Sequence, residues 1–272
     1  MYKIGCNWSQ SLYGLIIGKQ VHVDYIKTGA FGEFDEFFGT MRSLRPVLLH
    51  GFGYYENAGI KDIGIIDFNR ANRLLAECDS PHYGLHLAIR NADMIPLMSD
   101  AHIYERVSRH IQIFKDRLSV PLLLENIPDT PHDRTEHDHY PFSDPEKISK
   151  VLIDNDVNLL LDITHAKITA MYRGWDIYDY LKALPLGRIK EIHVNGSGLD
   201  EQGFPDDPHQ AMEDEDYRLL DWALSHSHPD IVTLEYIGIP QETPEEISQN
   251  LYMQLKTINQ ICSLSGRKNI CN

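Results

Sequence analysis

The sequence predicts a single α/β domain, a (β/α)8 barrel spanning residues 1–272. Three observations point to it. Eight short apolar runs recur along the chain with amphipathic segments between them, the pattern of parallel strands buried on both faces and crossed by helices. A length of 272 residues sits near the ~250 typical of such barrels. No Gly/Ser linker or change in composition divides the chain. A doubly wound open sheet fits less well, because its strand count is usually lower.

The strands are expected at Lys3 to Cys6, Val21 to Ile26, Pro46 to Leu49, Tyr83 to Leu87, Pro121 to Leu124, Asn158 to Leu161, Ile189 to Val194 and Ile231 to Leu234. Between them, Asp67 to Glu77 aligns Phe68, Leu74 and Leu75 along one helical face. Ile103 to Leu118 repeats Val107, Ile111 and Phe114 at spacings of three and four. Ser143-Asp144-Pro145-Glu146 reads as a helix start, with a cap residue, a proline and an acid in the first turn. Trp175 to Leu184 and Pro244 to Ile261 complete the helical set, and the acidic run Glu213 to Asp216 reads as the capped first turn of a further helix. Two segments, Asp129 to Tyr140 and Gly196 to Glu215, are expected as long loops, beyond the ~2–6 residues usual between strand and helix. Each follows a strand end, where a barrel keeps its chemistry.

Charge narrows the function. Lys+Arg 25 against Asp+Glu 40 gives a net charge of −15, a poor surface for a phosphate backbone, so no nucleic acid partner is expected. Cys6, Cys78, Cys262 and Cys271 form neither a CxxC pair nor a dense framework, which predicts a reducing, cytoplasmic setting. The first ten residues lack the apolar core of a signal peptide, and no apolar run approaches the ~18 residues of a membrane span. There is no nucleophile elbow, phosphate-binding loop or dinucleotide fingerprint. The unusual number is 14 histidines, roughly double an ordinary share.

Those histidines fall in a pattern. His50 ends the third run, His86 lies in the fourth, Glu125 ends the fifth, Asp162 the sixth, His193 lies in the seventh and Glu235 ends the eighth, at intervals of 31 to 42 residues. One metal-capable side chain thus appears per strand-and-helix unit, and a barrel would project all six toward one mouth. Asp162-Ile163-Thr164-His165 adds a second imidazole, and Asp207-Pro208-His209 adds a carboxylate and an imidazole from the long seventh loop. A single histidine at a strand end is ordinarily structural; six donors on six consecutive strands are a metal site. Nine N and O donors, at ~3–4 protein ligands per ion, would hold two or three ions of Fe, Zn or Mn with bridging carboxylates. Glu125 and Glu235 are the sharpest cases, since each directly follows an apolar run and is expected to be buried with no protein partner. His132, His137 and His139 are read as a solvated loop, and His226 and His228 as a helix end and turn.

Several motifs in order resemble one family. They are Leu49-His50-Gly51, Leu124-Glu125-Asn126, Leu160-Leu161-Asp162 with Gly174-Trp175-Asp176 after it, Tyr180 to Val194 followed by Gly196, and Asp207-Pro208-His209. From about His50 to Glu235 the chain resembles the multinuclear non-haem iron-dependent oxidative enzymes, formerly a domain of unknown function, within the xylose isomerase-like barrels. The resemblance implies two or three iron ions and the use of O2. It also implies a ribosomally made peptide substrate, modified at Cys or another residue, commonly with a small partner protein that recognises its leader. The ligands it implies are His50, His86, Glu125, Asp162, His193, Asp207, His209 and Glu235. His165 departs from the Asn many members carry there, and Lys27 stands where related enzymes often have Glu. All nine donors also have counterparts in the trinuclear zinc enzyme endonuclease IV, and Glu125, Asp162, His193 and Glu235 alone would suit a divalent-metal sugar isomerase or epimerase.

Overall fold

Eight parallel strands close into a barrel: β1 (Lys3–Asn7), β2 (Tyr25–Thr28), β3 (Val47–His50), β4 (Tyr83–His86), β5 (Leu122–Glu125), β6 (Asn158–Asp162), β7 (Ile189–Val194) and β8 (Ile231–Leu234). Each pairs with its neighbours in chain order, and β8 returns to β1 through Lys3↔Ile231 to Cys6↔Leu234. The computed structural model describes residues 2–52, 57–90, 99–135, 137–138 and 142–268. The strands are apolar runs because both faces are covered. In Leu122-Leu123-Leu124, for example, every side chain is buried, either in the barrel or under the surrounding helices.

The helices are α1 (Gln10–Ile17), α2 (Phe34–Leu44), α3 (Phe68–Cys78), α4 (Asp100–Arg117), α5 (Pro145–Asp154), α6 (Ile163–Arg173), α7 (Ile177–Ala183), α8 (Asp214–His226) and α9 (Pro244–Lys268). Their starts follow capping chemistry. Asp67 caps α3, Asp144 caps α5 with a proline in its first turn, and Glu213 and Asp216 close a reciprocal capping box on α8. The junction of β6 and α6 has no loop at all. Asp162 is both the last strand residue and the helix cap, its Oδ1 accepting the His165 amide at 2.7 Å. That junction places His165 one turn above the strand end.

Three expectations need correction. The second strand is Tyr25–Thr28, not Val21 to Ile26. Asp24 ties the chain to β1 first, accepting the Ile4 amide on its carboxylate at 2.8 Å, and pairing with β3 begins only at Ile26↔Val47. The segment expected as a loop from Gly196 contains an antiparallel hairpin, Gly196–Leu199 against Pro205–Gln210. The Asp129 to Tyr140 segment likewise holds a short turn at Asp133–Thr135 and a two-residue pairing of Ile89–Arg90 with His137–Asp138; His139 and Tyr140 lie outside the described residues. Among the described residues no helix is long and apolar enough to cross a membrane. Cys6, Cys78 and Cys262 are buried free thiols, and Cys271 lies outside the described residues.

Candidate metal centre

Strand register sets the site. His86 pairs level with Glu125 across β4 and β5, and Asp162 pairs level with His193 across β6 and β7, so these donors share one layer at the C-terminal mouth. Glu125 sits at the middle of it. Its Oε2 lies 2.7 Å from His50 Nε2 and 3.3 Å from His86 Nε2, and its Oε1 lies 3.2 Å from His193 Nδ1. The next acid, Glu235, approaches the same His193 Nδ1 at 3.3 Å. Two groupings could therefore hold a metal ion, His50 with His86 and Glu125, and Glu125 with Asp162, His193 and Glu235. They share Glu125.

The hairpin closes the mouth from one side and brings a third set of donors. Asp207 Oδ2 lies 3.0 Å from His165 Nε2 and 3.2 Å from His209 Nε2, while Asn195 Nδ2 donates to Asp207 Oδ1 at 2.5 Å. His165 is oriented from behind, with Nδ1 donating to the Asn126 carbonyl at 2.8 Å. Asn126 also braces β6, exchanging two hydrogen bonds of 2.8 and 2.9 Å with the Asp162 backbone. His209 holds a left-handed backbone, φ 52°, a conformation uncommon outside glycine and one that collects at functional sites.

All nine residues read from the sequence thus lie at one mouth. Seven of them, all but the fully buried Asp162 and His193, border a cavity of about 370 Å³ to which Lys27, His132 and Asp133 also contribute. A larger cavity, about 660 Å³, opens at the opposite end between Lys3, His82 and Lys190, where no grouping of metal donors lies among the described residues. Barrel chemistry belongs to the C-terminal face, so the smaller cavity is the candidate site.

Electrostatics fit a cation here. Burial pushes the Glu125 carboxyl up, but His50, His193 and His86 outweigh it and hold it well below the usual carboxylate range. Burial raises Asp162, reinforced by Asp207 and Glu125 and opposed by His165. Burial likewise takes His50 down to about 4, against the pull of Glu125. His165 runs the other way: burial would lower it, but Asp162, Asp207 and Glu125 hold it well above 6.5. Among the buried carboxylate oxygens Asp162 Oδ2 makes no hydrogen bond, with His165 Nε2 3.8 Å away. Buried polar atoms without such bonds are rare unless something else satisfies them, and an N/O donor set free of thiolate suits Fe, Zn or Mn.

One expectation fails. Glu125 and Glu235 do not lack protein partners: Glu125 has three imidazoles, and Lys27 Nζ forms an ion pair with Glu235 Oε1. Lys27 is a buried residue inside β2. Burial lowers its pKa against the pull of Glu125, Glu191 and Asp162. The sequence assigned no role to Asn126, Asn195 and Glu191, which hold the donors from behind. Asn126 directly follows Glu125, and Glu191 lies two before His193, so strand alternation places the latter pair on one inward face. His132 is exposed at the cavity rim.

Residues 3–260 match the family described as RiPP precursor modification enzyme MbnB/TglH/ChrH. A UPF0276 protein of Acaryochloris marina is 29% identical over 181 residues, covering 62% of this chain and 63% of that protein. One from Bordetella pertussis is 30% identical over 151 residues, covering 54% and 51%. The matched stretch thus spans between half and two thirds of these relatives. Among solved structures, the IOLI protein with a binding zinc atom superposes with a TM-score of 0.63 at 13% identity, covering 98% of each chain. A xylose isomerase domain protein from Alicyclobacillus acidocaldarius gives 0.60 at 16%, covering 97% of this chain and 100% of that one. Endonuclease IV from Thermus thermophilus gives 0.57 at 16%, covering 95% and 99%. At such identities the likeness is one of fold, and the fold is a xylose isomerase-like barrel.

Proposed function

Because this chain belongs to the RiPP precursor modification family of MbnB, TglH and ChrH, we propose that it is a multinuclear iron-dependent, O2-using enzyme that oxidises Cys or another residue of a ribosomally made peptide. The observation that carries the reading is the sharing of carboxylates. Glu125 serves two groupings at once, and Asp207 stands between two further imidazoles, an arrangement suited to adjacent ions. His50, His86 and Glu125 would hold one ion, and Glu125, Asp162, His193 and Glu235 a second. His165, Asp207 and His209 would complete a third position. Bound iron would supply the electron transfer to O2 that the side chains themselves lack.

The chain's own contribution is positioning and exclusion of water. Glu125, Asp162, His193 and Glu235 are buried below the mouth, whereas the His86 and His209 side chains are 30% and 32% exposed. A substrate side chain would enter between them. Lys27 pairs with Glu235, and burial keeps His50 neutral near pH 7, as a metal donor must be. The peptide is expected to arrive with a small leader-recognising partner protein.

A trinuclear zinc phosphoesterase is the second reading, favoured by the His165–Asp207–His209 set and opposed by the net charge of −15. The test is purification without oxygen, metal analysis, and Mössbauer and EPR spectra. Two or three coupled irons per chain support the oxidase. Three zincs, or a single Mn as in a sugar isomerase, would overturn it.

A further inference from the structure

Below the donor layer, β7 carries another buried acid. Glu191 is 1% exposed and shares the inward face of the strand with His193. Both of its oxygens are engaged: Oε1 accepts from His193 Nε2 at 3.2 Å and from Thr233 Oγ1 at 2.5 Å, and Oε2 accepts from His82 Nε2 at 2.5 Å. Gly5, on the neighbouring strand β1, leaves the room this requires, since a Cβ there would stand 2.4 Å from Thr233 Oγ1. His82, just before β4, comes from the far side of the barrel and lines the cavity at its opposite end.

The other histidines of the mouth, His50, His86, His165 and His209, present Nε2 to their carboxylates. His193 differs in bringing Nδ1 to within 3.2 and 3.3 Å of Glu125 and Glu235, whereas His165 Nδ1, 3.8 Å from Glu125, is committed to the Asn126 carbonyl. We propose that Glu191 is the positioning residue that fixes this orientation: it keeps a proton on His193 Nε2 and so reserves Nδ1 as a metal donor, with His82 and Thr233 holding Glu191 in turn. An imidazole that donates through one nitrogen offers its lone pair at the other, and a carboxylate partner makes that lone pair more basic. The inference rests on the metal reading of the site.

The test uses the full chain with ring-15N-labelled histidine, metal-free and loaded with Zn2+. The wild type should show a slowly exchanging, downfield His193 Nε2 proton, identified by its loss in His193→Asn. Glu191→Gln, which is isosteric, should lose or shift that signal and weaken Zn2+ retention against a competing chelator by roughly 10–100-fold. His82→Gln keeps an N–H donor toward Glu191 and should retain both properties, whereas His82→Leu should move both. Thr233→Val is the milder variant should Glu191→Gln not fold, and it should shift the same proton. Glu191→Gln with an unaltered proton and wild-type Zn2+ retention would overturn the proposal, as would an unaltered proton in both His82→Leu and Thr233→Val. A wild type that retains no Zn2+ or iron would defeat the metal reading, while the proton signal of the metal-free chain would still decide the tether.

Discussion

Gly84 sets the place of His50, and replacing it with Ala should displace the ring. A Cβ at Gly84 would stand 2.7 Å from His50 Nδ1 and 3.1 Å from Leu160 Cδ1. The Leu160 methyl is the end of a flexible side chain and can yield. His50 cannot retreat freely, because its Nε2 already lies 2.7 Å from Glu125 Oε2. Restoring ordinary contact at about 3.4 Å requires a ring movement of ~0.7 Å, several times the ~0.2 Å tolerance of a metal–ligand distance. Overpacking of this kind costs about 1–3 kcal/mol, and a chain of this size loses about 2–4 °C of Tm per kcal/mol. Gly84→Ala should therefore lower Tm by roughly 2–12 °C and reduce the metal held by the His50 grouping. The decisive assay is a double-mutant cycle by thermal or denaturant unfolding. In a His50→Ala background the new methyl has space, so Gly84→Ala should cost at least ~1 kcal/mol less there than alone. Additive costs would show that His50 is not what Gly84 accommodates.

Three further outcomes follow from the same geometry. Burial opposes protonation of His165 and His193, but Asp162 and Asp207 on the first, and Glu125 and Glu191 on the second, raise both above 6.5. Metal uptake near neutral pH should therefore release protons, read with an indicator in weak buffer, because a ligating imidazole must be neutral. In the metal-free chain the same raised values give stability that is fully present below pH 6.5 and lost as pH rises through the folded-state values. Equilibrium unfolding from pH 6.5 upward should show that decline, and a flat profile would contradict the assignment. Lys27→Met removes the cation paired with buried Glu235, so the metal-free variant should be destabilised by about 3–5 kcal/mol. Added metal should recover more of its Tm than in the wild type; an equal recovery would place Glu235 outside the metal groupings. Asp144→Ala removes the cap whose Oδ1 accepts the Glu146 amide at 2.9 Å, and should cost ~1 kcal/mol with metal content unchanged.

How much of this was legible depended on what kind of physics placed each element. The runs at Leu122 to Leu124 and Ile231 to Leu234 were readable because a strand buried on both faces must be apolar throughout. The hairpin from Gly196 to Gln210 was not. Its second strand is half-buried, with four polar residues and two prolines, so backbone pairing, and not apolar alternation, makes it a strand. The second strand was misplaced for a related reason: Val21 and Val23 alternate as a strand would, but Asp24 ties the chain to Ile4 before the ladder forms. That displacement left Lys27 noticed but without a partner, and a frame starting at Tyr25 puts it inside β2, where its Nζ reaches Glu235.

The donors were legible for a different reason. A barrel repeats one unit, so residues that end successive strands recur at nearly constant spacing, and His50, His86, Glu125, Asp162, His193 and Glu235 could be read as one layer without knowledge of any contact. What supports that layer obeys no such spacing. The partner of Glu235 is Lys27, the carbonyl that orients His165 belongs to Asn126, and the acid that holds His193 is braced by His82 and Thr233. Each is distant in sequence and adjacent only because the barrel closes. Closure also creates the electrostatic problem the site poses. Among the described residues, Glu125, Asp162, Glu191 and Glu235 are buried together with Lys27 as the one lysine beside them, and imidazoles face them from the other strands. A metal bound at Glu125 would displace protons from those imidazoles and replace their charge with its own. The burial that makes these carboxylates costly without a counter-charge is thus what favours a bound cation.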